Sequence, residues 1–151
     1  MQLTQLIYCS RANGQLTRDD ITAIEIEARQ RNGRRGITGL LLYSAGHFIQ
    51  LLEGDRTILT GIYGEIARDP RHTLISLLYF GPARSRLFSA WRMGVLDMGT
   101  AGHLDSERLR AFVNPVNVLP SPAALLAMLR DFRCQLPAES SAAALETAAV
   151  A

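Results

Sequence analysis

Two polar side chains stand inside apolar, strand-like segments, and they are the first candidates for chemistry. Tyr8 lies in the segment LIYCS, and Gln50 lies in HFIQLLEG. A phenol can lose an electron and a proton, and a carboxamide can donate a hydrogen bond at one end and accept one at the other. If the two strands present these residues on one face, Tyr8 and Gln50 can hydrogen-bond to each other. Such a contact can equally be a satisfied pair in the core, because a buried amide without partners costs about 1–3 kcal/mol.

Two helices are predicted to lie over this pair. The first begins after Thr17, where a T-x-x-D capping pattern precedes apolar residues at helical spacing, and it ends near Asn32. The second begins at Asp55, a favourable N-cap residue, and ends at Asp69 because Pro70 follows. Both helices carry isoleucines on one stripe, which indicates a surface that faces the core.

Five strand-like segments complete the pattern and define the fold class. They cover residues 3–9, 36–44, 47–54, 73–80 and 91–98. The order β-α-β-β-α-β-β is typical of an α+β sandwich of the ferredoxin-like type, here a five-stranded mixed sheet with two helices on one face. The central strands are apolar on both sides, so the other face also needs cover. Residues 105–112 and 122–132 are predicted to form two C-terminal helices that provide this cover.

The composition favours a cytoplasmic protein that binds neither nucleic acid nor a membrane. Lys and Arg number 16 and Asp and Glu 14, and the net charge of +2 is too balanced for a protein that depends on neutralising phosphates. Cys9 and Cys134 are too few for a disulfide framework. We find no signal peptide and no apolar run of the roughly 18 residues that a membrane span requires.

Signals of catalysis are weak, and we expect no enzymatic activity. The sequence lacks the motifs G-x-G-x-x-G, Walker A, H-E-x-x-H and G-x-S-x-G, and its histidines are scattered without metal-ligand spacing. Two functions nevertheless remain compatible with the fold: a small-molecule enzyme of the acylphosphatase type and a ligand-sensing regulatory domain. The enzyme would need a glycine-framed arginine loop, which the segment with Arg11 and Arg18 does not provide.

Five separated segments carry a resemblance to a known family. LIYCS, RNGRRGITGLLLYS, FIQLLEG, ARDPRH and FSAWRMG resemble, in order and spacing, the BLUF family of blue-light receptors that use FAD. The resemblance covers about residues 3–98, so it implies a flavin-binding domain over residues 1–98. The part that follows resembles the C-terminal helices of short, stand-alone members, with a helical cap and signalling extension over 99–137 and a disordered tail over 138–151.

The resemblance implies that FAD binds non-covalently between the two helices. Its ring is expected to lie between Ile24 and Ile66, with Asn32 on the pyrimidine edge and the Arg71–His72 pair near the other edge. The complete set of flavin-contacting residues implied in this way is Ile24, Arg31, Asn32, Phe48, Gln50, Ile66, Arg71 and His72.

The resemblance also assigns a photoactive group. Tyr8 and Gln50 match the photoactive pair of the family, and Trp91 and Met93 match residues of the last strand that change their contacts with the glutamine; which of the two faces inward stays open. Tyr8 is expected to give an electron and then a proton through Gln50, and the rearranged hydrogen bonds shift the flavin absorption to the red. We expect this change to reach a downstream signalling protein or a second copy of the chain in a homo-oligomer.

Overall fold

The computed structural model of the chain describes residues 1–44, 46–89 and 93–97, together with Ala123 and Ala127. Its elements are β1 (Leu3–Ala12), α1 (Arg18–Arg35), β2 (Thr38–Ser44), β3 (His47–Asp55), α2 (Arg56–Ala67), β4 (His72–Pro82) and β5 (Gly94–Asp97). The predicted order of helices and strands is therefore confirmed. The predicted C-terminal helices and tail lie outside the described residues, apart from Ala123 and Ala127, which are both helical.

The five strands form one mixed sheet in the order β4-β1-β3-β2-β5. The β1–β3, β1–β4 and β2–β3 pairs are antiparallel, whereas β5 runs parallel to β2 at the edge. This arrangement confirms the ferredoxin-like α+β class. It also puts β1 and β3, the strands of Tyr8 and Gln50, next to each other at the centre of the sheet.

The register of the central strands decides which side chains share a face. Tyr8 lies directly opposite Gln50, and Ser10 lies opposite Phe48. On the other side of β3, Leu41 is paired with the same Gln50. Because directly paired residues point to the same face of a sheet, all five side chains are on one side. The condition for a contact between Tyr8 and Gln50, a shared face of the sheet, is therefore met.

Both helices pack on this face of the sheet. The core here joins residues from β1, β2 and β3 to the buried side of α1 and α2, and its helical members are Ile21, Ala28, Leu59, Ile62 and Ile66. The opposite face is also buried, since Ile7, Leu40, Leu42, Ile49 and Leu51 are at most 1% exposed. The tight burial of both faces explains why these strands are apolar throughout rather than alternating.

The helix starts follow from the capping residues. Thr17 Oγ1 accepts a hydrogen bond from the Asp20 backbone N–H at 3.2 Å, and the Asp20 carboxylate accepts from the Thr17 N–H at 2.7 Å, which completes a capping box. Asp55 Oδ1 accepts from the backbone N–H groups of Thr57 and Ile58 at the start of α2. Both predicted starts are confirmed.

Several predicted ends differ from the structure. Helix α1 continues to Arg35, one turn beyond Asn32, because Gly33 stays helical and Gly36, with φ of 65°, takes the left-handed conformation that ends the helix. Helix α2 ends at Ala67, two residues before the predicted end. Strands β1 and β4 are longer than predicted, and β5 is described only over Gly94–Asp97, so Met93 precedes it.

Candidate functional site

A cavity of about 480 Å³, open to solvent, lies between the two helices and the sheet. Its apolar lining consists of Ile24, Ala28, Leu41, Phe48 and Ile66, its neutral polar lining of Tyr8, Gln50 and His72, and its charged lining of Glu27, Arg31, Asp69 and Arg71. The combination of apolar walls with a few convergent polar groups is typical of a site for a flat organic ligand with polar edges.

A chain of three buried side chains runs along the sheet side of the cavity. The Tyr8 hydroxyl donates a hydrogen bond to Gln50 Oε1. The Gln50 amide in turn donates through Nε2 to the sulfur of Met93 at 3.3 Å. These side chains are 4%, 3% and 1% exposed, so no water competes for their contacts. Met93 is thus a neighbour of the glutamine, whereas Trp91 lies outside the described residues.

The environment keeps the Tyr8 hydroxyl protonated. Burial raises the pKa of Tyr8 well above its usual value, because a phenolate would lose its hydration; the positive charge of Arg31 opposes this effect only in part. Tyr8 is therefore a neutral phenol that acts as a hydrogen-bond donor. The direction of the bond to Gln50 follows, and it leaves the amide Nε2 free to point at Met93.

His72 forms one wall of the cavity and is fixed by two hydrogen bonds. Its Nε2–H donates to the backbone carbonyl of Ile66 at 2.5 Å, and Nδ1 forms a hydrogen bond of 2.7 Å with the Ser10 hydroxyl. A carbonyl can only accept, so Nε2 carries a hydrogen. The ring also contacts Tyr8 and Phe48 edge-on, with centroids 6.2 and 6.3 Å apart. His72 therefore connects the end of α2 to the central strands beside Tyr8.

Charged side chains surround the opening of the cavity. Arg71 pairs with Asp69 at 2.6 Å and with Glu27 at 2.8 Å, and so joins α1 to the segment after α2. The hydrogen bonds with Asp69 raise the pKa of Arg71, and the same contact lowers the pKa of Asp69. Arg31 is more buried, and this burial lowers its pKa. The opening thus presents two guanidinium groups, the residues that best pair with phosphate oxygens.

Asn32 differs from the other predicted contact residues. It is completely buried near the end of α1, its Oδ1 accepts from Arg31 Nε at 3.4 Å, and it is not among the described residues that line the cavity. All other members of the predicted set do line it. The structure therefore brings together Ile24, Arg31, Phe48, Gln50, Ile66, Arg71 and His72, and it does not include Asn32 in the cavity lining.

Sequence reasoning did not identify every residue of the site. Glu27 was missed although a signal existed: with Ile24, Ala28 and Arg31 it follows the spacing i, i+3, i+4, i+7 of one helix face. Arg29 was also missed; its Nε donates to the backbone carbonyl of Met93 at 3.0 Å, and no sequence pattern predicts this contact.

Two further findings concern the described part of the chain. Within it, no group of three or more His, Cys, Asp or Glu side chains is arranged to hold a metal ion. Neither of its helices is long and apolar enough to cross a membrane.

The fold and the cavity define a ferredoxin-like binding module for a flat cofactor held between two helices. Residues 3–94 match the family model described as sensors of blue-light using FAD, which is more than half of the chain. The protein therefore belongs to the BLUF family, and its cofactor is FAD. The cavity residues fit this cofactor: the walls are apolar, the sheet side offers a phenol and an amide, and the opening carries guanidinium groups.

Relatives and solved structures support the same assignment. Photoactivated adenylate cyclase subunit beta of Euglena gracilis is 38% identical over 92 residues, which are 60% of this chain and 11% of the relative. The blue light- and temperature-regulated antirepressor BluF of Escherichia coli K12 is 39% identical over 101 residues, 64% of this chain and 24% of the relative. The chain thus spans about a tenth of the length of the cyclase subunits it matches.

The fold of the whole described region is also found in known BLUF structures. The dark-state structure of BlrB, a BLUF protein, superposes with a TM-score of 0.73 and 33% identity, covering 89% of this chain and 98% of that one. A bacterial light-regulated adenylyl cyclase gives a TM-score of 0.68 with 30% identity, over 76% of this chain and 33% of the cyclase. The module is therefore a blue-light sensor domain of the kind that occurs both in short proteins and as part of longer ones.

Proposed function

We propose that this chain is a blue-light photoreceptor in which Tyr8 and Gln50 convert light absorption into a changed contact with Met93. The observation that carries the proposal is the buried chain of hydrogen bonds from the Tyr8 hydroxyl through the Gln50 amide to the Met93 sulfur. Two of its three members line the cavity that fits FAD.

The wall residues hold the cofactor and exclude water. Ile24 and Ile66 line the cavity from α1 and α2 and would enclose the ring, while Arg31 and Arg71 at the opening are placed for its polar edges and phosphates. Asn32, whose Oδ1 accepts from Arg31, is the proposed contact of the pyrimidine edge. When bound and excited by blue light, the flavin would supply a strong one-electron oxidant.

The protein side of the reaction begins at the Tyr8 hydroxyl. A phenol that has lost an electron becomes a strong acid, so its proton moves to Gln50 Oε1, the acceptor it already contacts. When the electron and the proton return, Tyr8 is again a neutral phenol. Gln50 ends either rotated or as the imidic tautomer, with one hydrogen moved from nitrogen to oxygen. The sum of atoms and charges is unchanged.

A rotated Gln50 amide cannot keep its hydrogen bond to Met93. In this orientation the carbonyl oxygen faces the thioether sulfur and both atoms carry lone pairs, whereas the imidic tautomer keeps one N–H that can still donate. The proposed signal therefore requires rotation of the amide, and the sulfur contact belongs to the unrotated dark state. One or two hydrogen bonds, each worth about 1 kcal/mol net, can shift a two-state equilibrium by several-fold to about thirtyfold.

The output of the light response follows from the position of Met93. This residue directly precedes β5, the edge strand that pairs with β2. A change at Met93 therefore reaches the edge of the sheet, where it alters the surface presented to a downstream signalling protein or to a second copy of the chain. Light-regulated cyclases and an antirepressor among the relatives indicate that this domain serves varied outputs.

A light-minus-dark absorption spectrum of the purified flavoprotein tests the proposal. The wild-type protein should show a reversible red shift under blue light, and Tyr8→Phe and Gln50→Leu should bind flavin but lose it. Tyr43→Phe is the matched control, because it removes a second phenol hydroxyl from the same core, at a position paired with Phe48 and not with Gln50. A normal red shift in Tyr8→Phe or Gln50→Leu would refute the proposed route.

A further inference from the structure

A buried carboxylate lies on the face of the sheet opposite the flavin cavity. Glu53 is three residues beyond Gln50 on β3, so the two side chains point to opposite faces. Its exposed fraction is 0%. Oε1 accepts a hydrogen bond from the backbone N–H of Leu87 at 2.6 Å, and Oε2 accepts from that of Phe88 at 3.0 Å. Glu53 thus attaches the segment that follows β4 to the central strand β3.

Neighbouring strands complete the hydrogen bonding of this carboxylate. Gln5 of β1 donates through Nε2 to Oε1 at 2.9 Å, and Thr38 of β2 donates its hydroxyl to Oε2 at 3.1 Å. Each oxygen therefore has two donors. Arg86 adds a positive charge close by: Nη1 donates to Thr38 Oγ1 and to the backbone carbonyl of Glu53, both at 2.9 Å, and Nη2 donates to the Gly36 carbonyl at 2.8 Å.

The attached segment leads directly to the residue that contacts Gln50. Only four residues, 89–92, lie between Phe88 and Met93. The five steps from one Cα to the next span at most about 18 Å. Beyond this segment, Arg29 of α1 fixes the Met93 backbone by donating to its carbonyl at 3.0 Å. The position of the Met93 sulfur against Gln50 is thus defined from two sides, by Arg29 near the cavity and by Glu53 across the sheet.

We propose that Glu53 is a positioning residue of the light response: by fixing Leu87 and Phe88 to β3, it holds Met93 against Gln50 in the dark state. This inference rests on the proposed function of the Tyr8–Gln50–Met93 chain. It adds that a residue without contact to the cavity controls how fast the lit state returns to the dark state. A carboxylate suits this task because its two oxygens accept from four donors at once, which no other side chain can do at this site.

The direct test is Glu53→Gln, which has nearly the same shape but only one accepting oxygen. One amide end then presents N–H groups to two donors; the Thr38 hydroxyl can turn to accept, whereas the Phe88 N–H cannot. The variant should bind flavin, show the red shift, and return to the dark state about threefold more slowly or slower still, because Met93 is held less firmly. An unchanged or faster recovery would overturn the inference.

A double-mutant cycle separates positioning from a merely structural effect. In a Met93→Leu background the sulfur contact is already absent, so Glu53→Gln should change the recovery rate no further. Equal slowing in both backgrounds would show that Glu53 does not act through Met93. Asp55→Ala is the matched control: it removes the N-cap of α2 two residues along the chain and lowers stability, but it should leave recovery at the wild-type rate.

If Glu53→Gln does not fold, Arg86→Ala provides the same test from outside the sheet. It removes the donors to Thr38 and to the Glu53 carbonyl, and it should slow recovery in the same direction. Wild-type recovery in a folded Arg86→Ala protein would then refute the inference. The outcomes remain distinct from a failure of the proposed function, which would appear as a wild-type protein without any red shift.

Discussion

Replacing Met93 by leucine tests the contact that carries the proposed signal. Leucine has nearly the same volume, so the fold should lose less than about 1.5 kcal/mol of stability. The change removes the only acceptor that the described residues offer to Gln50 Nε2, a sulfur at 3.3 Å. A net hydrogen bond contributes about 0.5–1.5 kcal/mol, and this free energy corresponds to about a twofold to tenfold change in a rate.

We expect Met93→Leu to bind flavin, to keep a red shift, and to return to the dark state about twofold to tenfold more slowly than the wild type. The recovery slows because the contact that favours the dark orientation of the amide is missing. The assay is the decay of the lit-state absorbance after a blue flash. Leu6→Met is the matched control, since it exchanges the same two side chains in the same core at a position paired with Leu52 and not with Gln50. Recovery within the error of the wild type, or faster than it, would refute the assigned role of the sulfur.

Three further predictions concern the cavity, the phenol and the helix start. Ile24→Trp should fold but lower flavin occupancy at least about tenfold, because the indole fills the space between the helices. The control Ile26→Trp, on an exposed part of α1, should bind flavin normally. The same ratio of flavin to protein absorbance in both variants would contradict this prediction. Burial raises the pKa of Tyr8, so the stability that the neutral buried phenol contributes is complete below about pH 10 and declines above that pH, because Tyr8 of the unfolded chain ionises there. Urea unfolding should therefore show that the wild type loses stability relative to Tyr8→Phe above about pH 10. A difference in unfolding free energy that stays constant with pH would contradict this prediction. Asp55→Ala should cost about 1 kcal/mol in thermal unfolding with an unchanged flavin spectrum, because it removes one helix cap.

Local patterns predicted the central part of the site. The alternation of side chains along a strand depends only on the backbone, so the residues that share a face within β1 and within β3 could be predicted from LIYCS and FIQLLEG. Whether the Tyr8 face and the Gln50 face coincide depends on the pairing of β1 with β3, which are distant in sequence, and this pairing needed the fold. The starts of both helices followed from Thr17 and Asp55, whose short side chains bond to the next turn of backbone.

Contacts between distant segments could not be predicted in this way. Glu53 gave one signal, a carboxylate in an otherwise apolar strand, but its backbone donors come from residues 87 and 88, for which no sequence pattern exists. The position of Asn32 depends on where α1 ends, and that end was decided by Gly36 rather than by Gly33, since a glycine inside a helix costs only about 1 kcal/mol. The contact of Met93 with Gln50 required the fold itself.

The sheet separates two kinds of polar interaction by face. On the cavity face, the chain from Tyr8 to Met93 contains only neutral groups, and burial keeps the phenol neutral. A neutral amide between a donor and a weak acceptor can reverse its orientation at a cost of about one hydrogen bond. On the opposite face, the carboxylate of Glu53 has four donors, and rearranging it would strand a buried charge at several times that cost. We therefore expect the proposed light response to be confined to the cavity face, where rearrangement costs little, while the Glu53 contacts on the opposite face keep their dark-state geometry.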